Sequence, residues 1–288
     1  MRRCDWNDCL LTCQIILSLI KKLAETVVFS NLWIAFAASG LTLNTYLVIG
    51  KPINELVVLL VFLATFSVYN LQRLIKHYFQ KKNYSQRHSW IYKHIKVLTL
   101  LVALSSTFSL GLFFLLYSIL DFISLLPFSA ISVLYAVSIF SKKRALRDFP
   151  FIKIFLIAIT WAASSVILPI IELSITINIQ LISLLLFNLL FIIAIAIPFD
   201  IRDLKLDNLN TKTIPQVFGV NNSVNFSLTL IIGCFMLAVF SFFTLGQIIP
   251  LIISFCLLYL SKKEMPELYY SGILDGTILL FPLFNFIF

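Results

Sequence analysis

The stretch Leu181–Phe199, LISLLLFNLLFIIAIAIPF, carries no charged residue and is long enough to cross the hydrocarbon core of a bilayer as one helix. It runs directly into Asp200-Ile-Arg-Asp203-Leu-Lys-Leu-Asp207. Carboxylates at the edge of a bilayer are costly unless they have a purpose. Because Asp200, Asp203 and Asp207 stand at i, i+3 and i+7, they share one stripe of a helix. Such a stripe either repels itself or binds a cation.

The composition of the whole chain is that of a membrane protein. Of the 288 residues, 60% are hydrophobic and 12% are charged, and the mean hydropathy is +0.99. Long apolar stretches recur along the chain, so the sequence predicts an all-α integral membrane protein with nine transmembrane helices. The predicted spans are Val27–Ile49, Leu56–Tyr69 (with an extension to about Phe79), Val97–Tyr117, Phe122–Phe140, Ile154–Ile171, Ile179–Phe199, Val224–Phe243, Ile248–Leu260 and Ile273–Phe288.

The basic residues predict the orientation. Every Lys and Arg except Lys51 falls on one side of the predicted membrane, and by the positive-inside rule this side is cytoplasmic. The N-terminus is then cytoplasmic, and an odd number of spans places the C-terminus outside. The net charge of +9 is therefore a topology signal. Because the basic residues are spread over short loops, we expect anionic lipid headgroups and an anionic substrate as partners, and no nucleic acid.

The N-terminal segment differs from the predicted spans. The apolar stretch Leu10–Ile20 is short, follows a basic N-terminus and ends at Lys21 and Lys22. No small-residue cleavage site follows, so a signal peptide is not expected. We expect residues 1–25 to form an interfacial segment on the cytoplasmic face, and residues 26–288 to form a single transmembrane domain.

The acidic stripe suits a hard divalent cation. Mg²⁺ prefers a few carboxylates, several waters and often the phosphate oxygens of a substrate. A metal bridged to diphosphate stabilises the negative charge that builds on a leaving group. We therefore expect Asp200, Asp203 and Asp207 to hold Mg²⁺ beside a diphosphate. The alternative is an ordinary solvated acidic helix end, although acids at the C-terminal end of a helix oppose its macrodipole.

The same residues resemble a known family. Phe199-Asp-Ile-Arg-Asp203-Leu-Lys-Leu-Asp207, followed by Lys212-Thr-Ile-Pro215 and Phe218-Gly219, is similar to the second Asp-rich motif of the UbiA superfamily of intramembrane prenyltransferases. The resemblance extends from about Thr26 to the end of the chain. It implies a UbiA-like bundle and the Mg²⁺-dependent transfer of a prenyl group from a prenyl diphosphate to a lipophilic, often aromatic acceptor. It also implies a position for Lys212 near the diphosphate.

A second region of similarity follows the fourth predicted span. The stretch Tyr135-Ala-Val-Ser-Ile-Phe-Ser-Lys142-Lys143-Arg144 lies where the family has a Tyr followed by a basic residue that binds diphosphate. The separation between Tyr135 and Lys142 is longer than the family's spacing. The resemblance therefore assigns diphosphate binding to Lys142, Lys143 and Arg144 as a group.

The chain departs from the family at the first Asp-rich motif, which ends the second span. When Asn70 is aligned with the family's Asn, Leu71, Leu74 and Tyr78 stand where the family has three Asp. The first Mg²⁺ site, as the family builds it, is therefore missing.

Another polar stripe occupies this position. Asn70, Arg73 and His77 repeat the i, i+3, i+7 spacing, and the family fold places the ends of the second and sixth spans opposite each other. We expect Asn70, Arg73 and Lys76 to bind the diphosphate, with Arg73 replacing one metal ion, because a guanidinium binds phosphate oxygens bidentately. The alternative is that Arg73 and Lys76 pair with the acidic stripe or with headgroups in a site that no longer catalyses.

Four other residues are not expected to take part in the chemistry. His77, His88 and His94 are interpreted as solvated loop residues, in preference to metal ligands. Arg202 lies about 160° around a regular helix from Asp200, so direct participation is not expected.

These patterns favour an enzyme over two other classes. The leading hypothesis is a UbiA-like prenyltransferase with Asp200, Asp203 and Arg73 as catalytic residues. It would be a multi-pass protein, of the inner membrane in a bacterium, with its site on the cytoplasmic face. The rival is a catalytically altered or inactive relative that binds an isoprenoid or lipid, or that assists membrane assembly. A transporter is disfavoured because the charged stripes cluster on one face and no charged residue lies at mid-span.

Overall fold

The computed structural model describes residues 6–79, 86–136, 151–204, 212–241 and 244–288. Within these ranges the chain is helical, and no strand occurs. Two π-helical segments, Ala163–Ile167 and Tyr269–Leu274, interrupt or precede α-helices. The α-helices are α1 Trp6–Phe29, α2 Leu32–Val48, α3 Glu55–Phe79, α4 Gln86–Lys93, α5 Ile95–Leu116, α6 Ile119–Ala136, α7 Ile152–Ala162, α8 Leu168–Glu172, α9 Ile179–Asp203, α10 Ile214–Ser241, α11 Leu245–Leu260 and α12 Asp275–Ile287.

The apolar helices confirm a multi-pass, all-α membrane protein. Six segments are long and apolar enough to cross a bilayer, and a seventh is added if the bent pair formed by α1 and α2 is one span. The apolar parts of α6 and α11 are shorter. Every predicted span overlaps one of these helices, but nine crossings and a cytoplasmic N-terminus stay predictions. The six segments are Glu55–Ile75, Ile95–Leu116, Ile152–Glu172, Ile179–Asp203, Ile214–Ser241 and Tyr269–Ile287.

The N-terminal helix is longer than the sequence indicated. It runs to Phe29, and its second half is bent by 65° from α2. The bend is made at Asn31, which takes the left-handed conformation with φ 62° that Asn tolerates better than most residues. An apolar stripe of α1 is exposed, as an interfacial helix requires, and that location stays a prediction. The stripe consists of Ile15, Ile16, Leu19, Ile20 and Leu23.

The core of the bundle is built around α9. This helix packs between α7 and α10. In its most apolar stretch 67% of the residues are buried, against 22% in the corresponding stretch of the peripheral helix α5. Phe187 and Phe191 of α9 are fully buried, and both meet the edge of the Phe281 ring of α12, with centroids 5.6 and 4.8 Å apart. Within a bilayer such close packing, more than the hydrophobic effect, holds helices together. The C-terminal end of α9 is therefore firmly placed.

Candidate functional site

Asp200 lies in the last turn of α9 and is bound to a cation from α7. Its carboxyl Oδ1 accepts a hydrogen bond from Lys153 Nζ at 2.6 Å, and the aspartate is 2% exposed. Lys153 stands in the first turn of α7, which packs against α9 with its N-terminal end beside the end of α9. A carboxylate this deeply buried keeps its charge at low cost only with such a partner.

Asp203 is bound to its neighbour Arg202. The guanidinium donates from Nε to Oδ1 at 2.8 Å and from Nη2 to Oδ2 at 3.1 Å, which is a bidentate pair. Its Nη1 donates to Ser271 Oγ at 3.3 Å, and the guanidinium carbon lies 5.2 Å from the ring centroid of Phe199. Sequence reasoning kept Arg202 apart from the acidic stripe. The long side chain nevertheless folds back onto Asp203.

Asn70, at the end of α3, makes only interhelical and intrahelical bonds that hold the fold. Its Nδ2 donates to the carbonyls of Ser30 and Phe66, both at 2.9 Å, and its Oδ1 accepts from Asn31 Nδ2 at 2.9 Å. The residue is 2% exposed. Both polar atoms of the amide are thus engaged in holding α3 against the bend between α1 and α2.

Arg87 of α4 completes this hydrogen-bond network. Its Nη2 donates to Asn31 Oδ1 at 2.5 Å and to the carbonyl of Val28 at 3.2 Å, while Nη1 lies 3.9 Å from Glu267 Oε1. Burial lowers the pKa of Arg87 to about 9, and the nearby charge of Arg73 acts in the same direction. The guanidinium therefore stays charged at neutral pH. Sequence reasoning missed Arg87, because it looked like one basic loop residue among many.

The resemblance implies that the ends of α3 and α9 face each other. Arg73 is half-buried and lies within electrostatic range of both Asp203 and Arg87. Asp275, at the start of α12, is likewise within range of Arg87 and Arg202. Four cations and four carboxylates thus converge in what we call the charged cluster. It consists of Arg73, Arg87, Lys153, Arg202, Asp200, Asp203, Glu267 and Asp275.

A Mg²⁺ site needs carboxylate oxygens that are free to bind it. Among the described residues there is no group of three His, Cys, Asp or Glu side chains placed to hold a metal ion. Asp207, the third member of the predicted set, lies outside the described residues. The donor chemistry of Asp200 and Asp203 suits Mg²⁺, but an ion bound there would have to displace Lys153 and Arg202.

Several other predicted diphosphate ligands also fall outside the described residues. This applies to Lys142, Lys143 and Arg144, and to the side chain of Lys76. Lys212 is described: it is exposed, has a φ of 44° and precedes α10 by two residues.

The prediction that the three histidines are loop residues was wrong for two of them. His77 belongs to α3, which runs to Phe79, and His88 belongs to α4. Their ring centroids are 5.5 Å apart, and the ring of His77 is 5.6 Å from that of Tyr92. His94 lies between α4 and α5, and its ring stacks on Trp90 at 4.4 Å.

Comparisons with known proteins support the fold. No protein-family profile and no curated protein matches the sequence. A solved structure of a digeranylgeranylglyceryl phosphate synthase in membranes matches 93% of this chain and 98% of that chain, with a TM-score of 0.55 and 17% identity. At this identity the likeness concerns the fold alone. The chain is therefore a multi-pass membrane protein with the helical-bundle fold of that synthase.

Proposed function

We propose that this protein is a UbiA-like intramembrane prenyltransferase that moves a prenyl group from a prenyl diphosphate to a lipophilic acceptor. The observation that carries the proposal is the convergence of Arg73, Lys153 and Arg202 on the acidic C-terminal end of α9. The fold supports it, because the synthase of similar fold makes, by its name, a glyceryl phosphate with two geranylgeranyl groups, which are prenyl chains. The proposed site is cytoplasmic, and the prenyl chain enters from the bilayer.

In this proposal the cations of the chain bind the diphosphate. Arg73, Lys153 and Arg202 supply a compact set of positive charges, and arginine offers the bidentate geometry that phosphate oxygens fit. The proposal also assigns diphosphate binding to Lys76 and Lys212, and to the basic residues Lys142, Lys143 and Arg144, which lie outside the described residues. Asn70 contributes by holding the end of α3 that carries Arg73, through its bonds to Ser30 and Asn31.

Mg²⁺ is the proposed cofactor, and Asp200, Asp203 and Asp207 would hold it. When bound, it would neutralise the charge that develops on the leaving diphosphate. Lys153 and Arg202 then leave the carboxylates and bind phosphate oxygens instead. Charge stays balanced in this exchange, because each carboxylate and each basic side chain ends with an oppositely charged partner.

Diphosphate release tests the proposal directly. Purified protein in nanodiscs, given Mg²⁺, a labelled prenyl diphosphate and a panel of lipophilic acceptors, should release diphosphate and form a prenylated product. The Asp203→Asn variant should lose this activity. The matched control Asp121→Asn removes an exposed carboxylate at the start of α6, outside the charged cluster, and should behave as the wild type. Wild-type release by Asp203→Asn would contradict the proposed metal role.

A second function is favoured by one specific observation. Both described carboxylates of the acidic stripe are already neutralised by the chain's own cations, and the first Asp-rich motif is missing. A relative that binds an isoprenoid diphosphate without turning it over has these properties. In that case the labelled prenyl diphosphate would bind the purified protein, and Arg73→Ala would weaken this binding. No diphosphate would be released at any Mg²⁺ concentration. An unchanged affinity in Arg73→Ala would contradict the role of Arg73 in both functions.

A further inference from the structure

The guanidinium of Arg202 lies against two aromatic rings. Its central carbon is 5.2 Å from the ring centroid of Phe199, one turn earlier on α9, and 6.0 Å from that of Tyr270, in the π-helical segment Tyr269–Leu274. The two ring centroids are 6.2 Å apart, and the ring planes are inclined by 57°. At these distances each ring attracts the cation through the negative charge of its face. We call Phe199 and Tyr270 the aromatic pair.

Tyr270 is the distant member of this pair, and neighbouring helices hold it in place. The residue is 1% exposed, and its ring meets that of Tyr269 edge-on, with centroids 5.4 Å apart. The hydroxyl of Tyr269 donates to the carbonyl of Leu257 in α11, and Trp33 Nε1 of α2 donates to the carbonyl of Gly272 at 2.8 Å. The π-helical segment is thus anchored to two helices, and such segments recur at functional sites.

The polar contacts of Arg202 use a different part of the guanidinium. Its N–H donors lie in the plane of the group: Nε and Nη2 donate to Asp203, and Nη1 donates to Ser271 at 3.3 Å. The aromatic pair acts on the positive charge and uses none of these donors. The side chains of Arg202 and Asp203 are 23% and 24% exposed, so part of their ion pair is open to a ligand. The polar partner can therefore change while both ring contacts stay.

We propose that Tyr270 is a positioning residue for the diphosphate: with Phe199, it keeps the Arg202 guanidinium at the end of α9 when Asp203 releases it. This inference rests on the proposed function, in which Arg202 exchanges the carboxylate for phosphate oxygens. An arginine side chain that loses its ion pair can take many rotamers, and a ligand must order it again at a cost in affinity. The aromatic pair lowers that cost, because the released guanidinium stays in place.

The aromatic pair also packs α9 against the segment before α12, and packing alone would be a purely structural role. The two roles differ in what they require of the Tyr270 ring. Packing depends on the shape of the ring, which phenylalanine and its fluorinated derivatives keep closely. Attraction of a cation depends on the negative face of the ring, which electron-withdrawing fluorine weakens. Fluorination of this ring therefore separates the two roles.

The experiment replaces Tyr270 in the full-length protein by phenylalanine and by its mono-, di- and trifluoro derivatives. Binding of tritiated geranylgeranyl diphosphate to each purified protein is measured in nanodiscs with Mg²⁺ present. Tyr270→Phe should keep the wild-type affinity, and the trifluoro derivative should bind about threefold to tenfold more weakly than Tyr270→Phe, with intermediate values between. Equal affinities across the series would overturn the inference. A loss already complete in Tyr270→Phe would also overturn it, because the hydroxyl and not the ring would then matter.

Two further series show whether the effect passes through Arg202. The matched control is the same fluorination at Tyr259, whose ring centroid is 4.6 Å from Lys262 Nζ, outside the charged cluster. It should leave the affinity unchanged, and an equal loss there would overturn the inference. In Arg202→Gln, which has no positive charge, fluorination at Tyr270 should no longer change the remaining affinity. A fluorination effect that persisted in this variant would overturn the proposal, because Tyr270 would then act by another route.

The outcome differs from a failure of the proposed function. If the affinity depends on fluorination but the wild type releases no diphosphate, the positioning role stands and prenyl transfer fails. If the wild type releases diphosphate but fluorination leaves the affinity unchanged, the enzyme proposal stands and this inference fails. If the wild type does not bind the tritiated probe, both fail.

Discussion

The ends of α3 and α9 carry polar residues at the same spacing, yet the structure uses them differently. Asn70 and Asp200 are both 2% exposed. Asn70 is engaged by neutral groups, the amide of Asn31 and two backbone carbonyls, which fix the bend between α1 and α2. Asp200 is engaged by the cation Lys153. Hydrogen bonds to neutral groups hold Asn70 in place, whereas an ion pair such as that of Asp200 can exchange its partner for another ion.

The difference teaches what residue spacing can and cannot predict. The i, i+3, i+7 pattern predicts that the polar groups of each helix share a face, and the family resemblance predicts that the two helix ends lie near each other. It does not predict which side chains are already engaged, because the partners come from elements distant in sequence. We therefore propose that the end of α3, with Arg73 as its exception, belongs to the scaffold and that the end of α9 binds the ligand.

The largest expected effect comes from removing the cation that faces Asp200. Lys153→Met leaves the carboxylate of Asp200, whose side chain is 3% exposed, without its cation. The loss should destabilise the protein by about 3–5 kcal/mol. Thermal unfolding of the purified protein in detergent measures the loss. The double variant Lys153→Met/Asp200→Leu should recover most of it, because no unpaired charge remains. Equal stability of the single variant and the wild type would break the assignment of a tight ion pair to the end of α9.

The sequence predicted the membrane class and the helices well, because hydropathy reports directly on burial in lipid. Ile179–Phe199 is a predicted span, and the helix that contains it, α9, is the most buried of the six membrane-length segments in the described part of the chain. The sequence did not predict the partners in the charged cluster. Arg87, Lys153 and Asp275 come from α4, α7 and α12, so only the packing of the bundle brings them together. The bend at Asn31, which engages Asn70, depends on the same packing.

A smaller effect is expected at the end of α3, and it should appear in stability alone. Asn70→Ala leaves the amide of Asn31 and the carbonyl of Ser30 without their bonds, and the free energy of unfolding should fall by about 1–3 kcal/mol in total. The affinity of the folded variant for prenyl diphosphate should equal that of the wild type. Asn54→Ala is the matched control. Asn54 directly precedes α3, at the opposite end of that helix from Asn70, and its side-chain amide donates to Glu172 Oε1 at 2.9 Å. A tenfold loss of affinity at unchanged stability in Asn70→Ala would show that Asn70 is a diphosphate ligand, as the sequence predicted.

The smallest effect on stability, and the sharpest on binding, is expected at Arg202. Arg202→Lys keeps the positive charge beside Asp203 but loses the bidentate geometry, so the stability should fall by about 1 kcal/mol or less. A lysine binds phosphate as a point charge, so the affinity for prenyl diphosphate should fall by about tenfold. Equilibrium binding of the labelled prenyl diphosphate, with unfolding measured on the same sample, checks both numbers. Lys262→Arg, which keeps the charge of a residue outside the charged cluster, is the control. If Arg202→Lys lost stability and kept affinity, the end of α9 would be scaffold like the end of α3, and the contrast between the two helix ends would disappear.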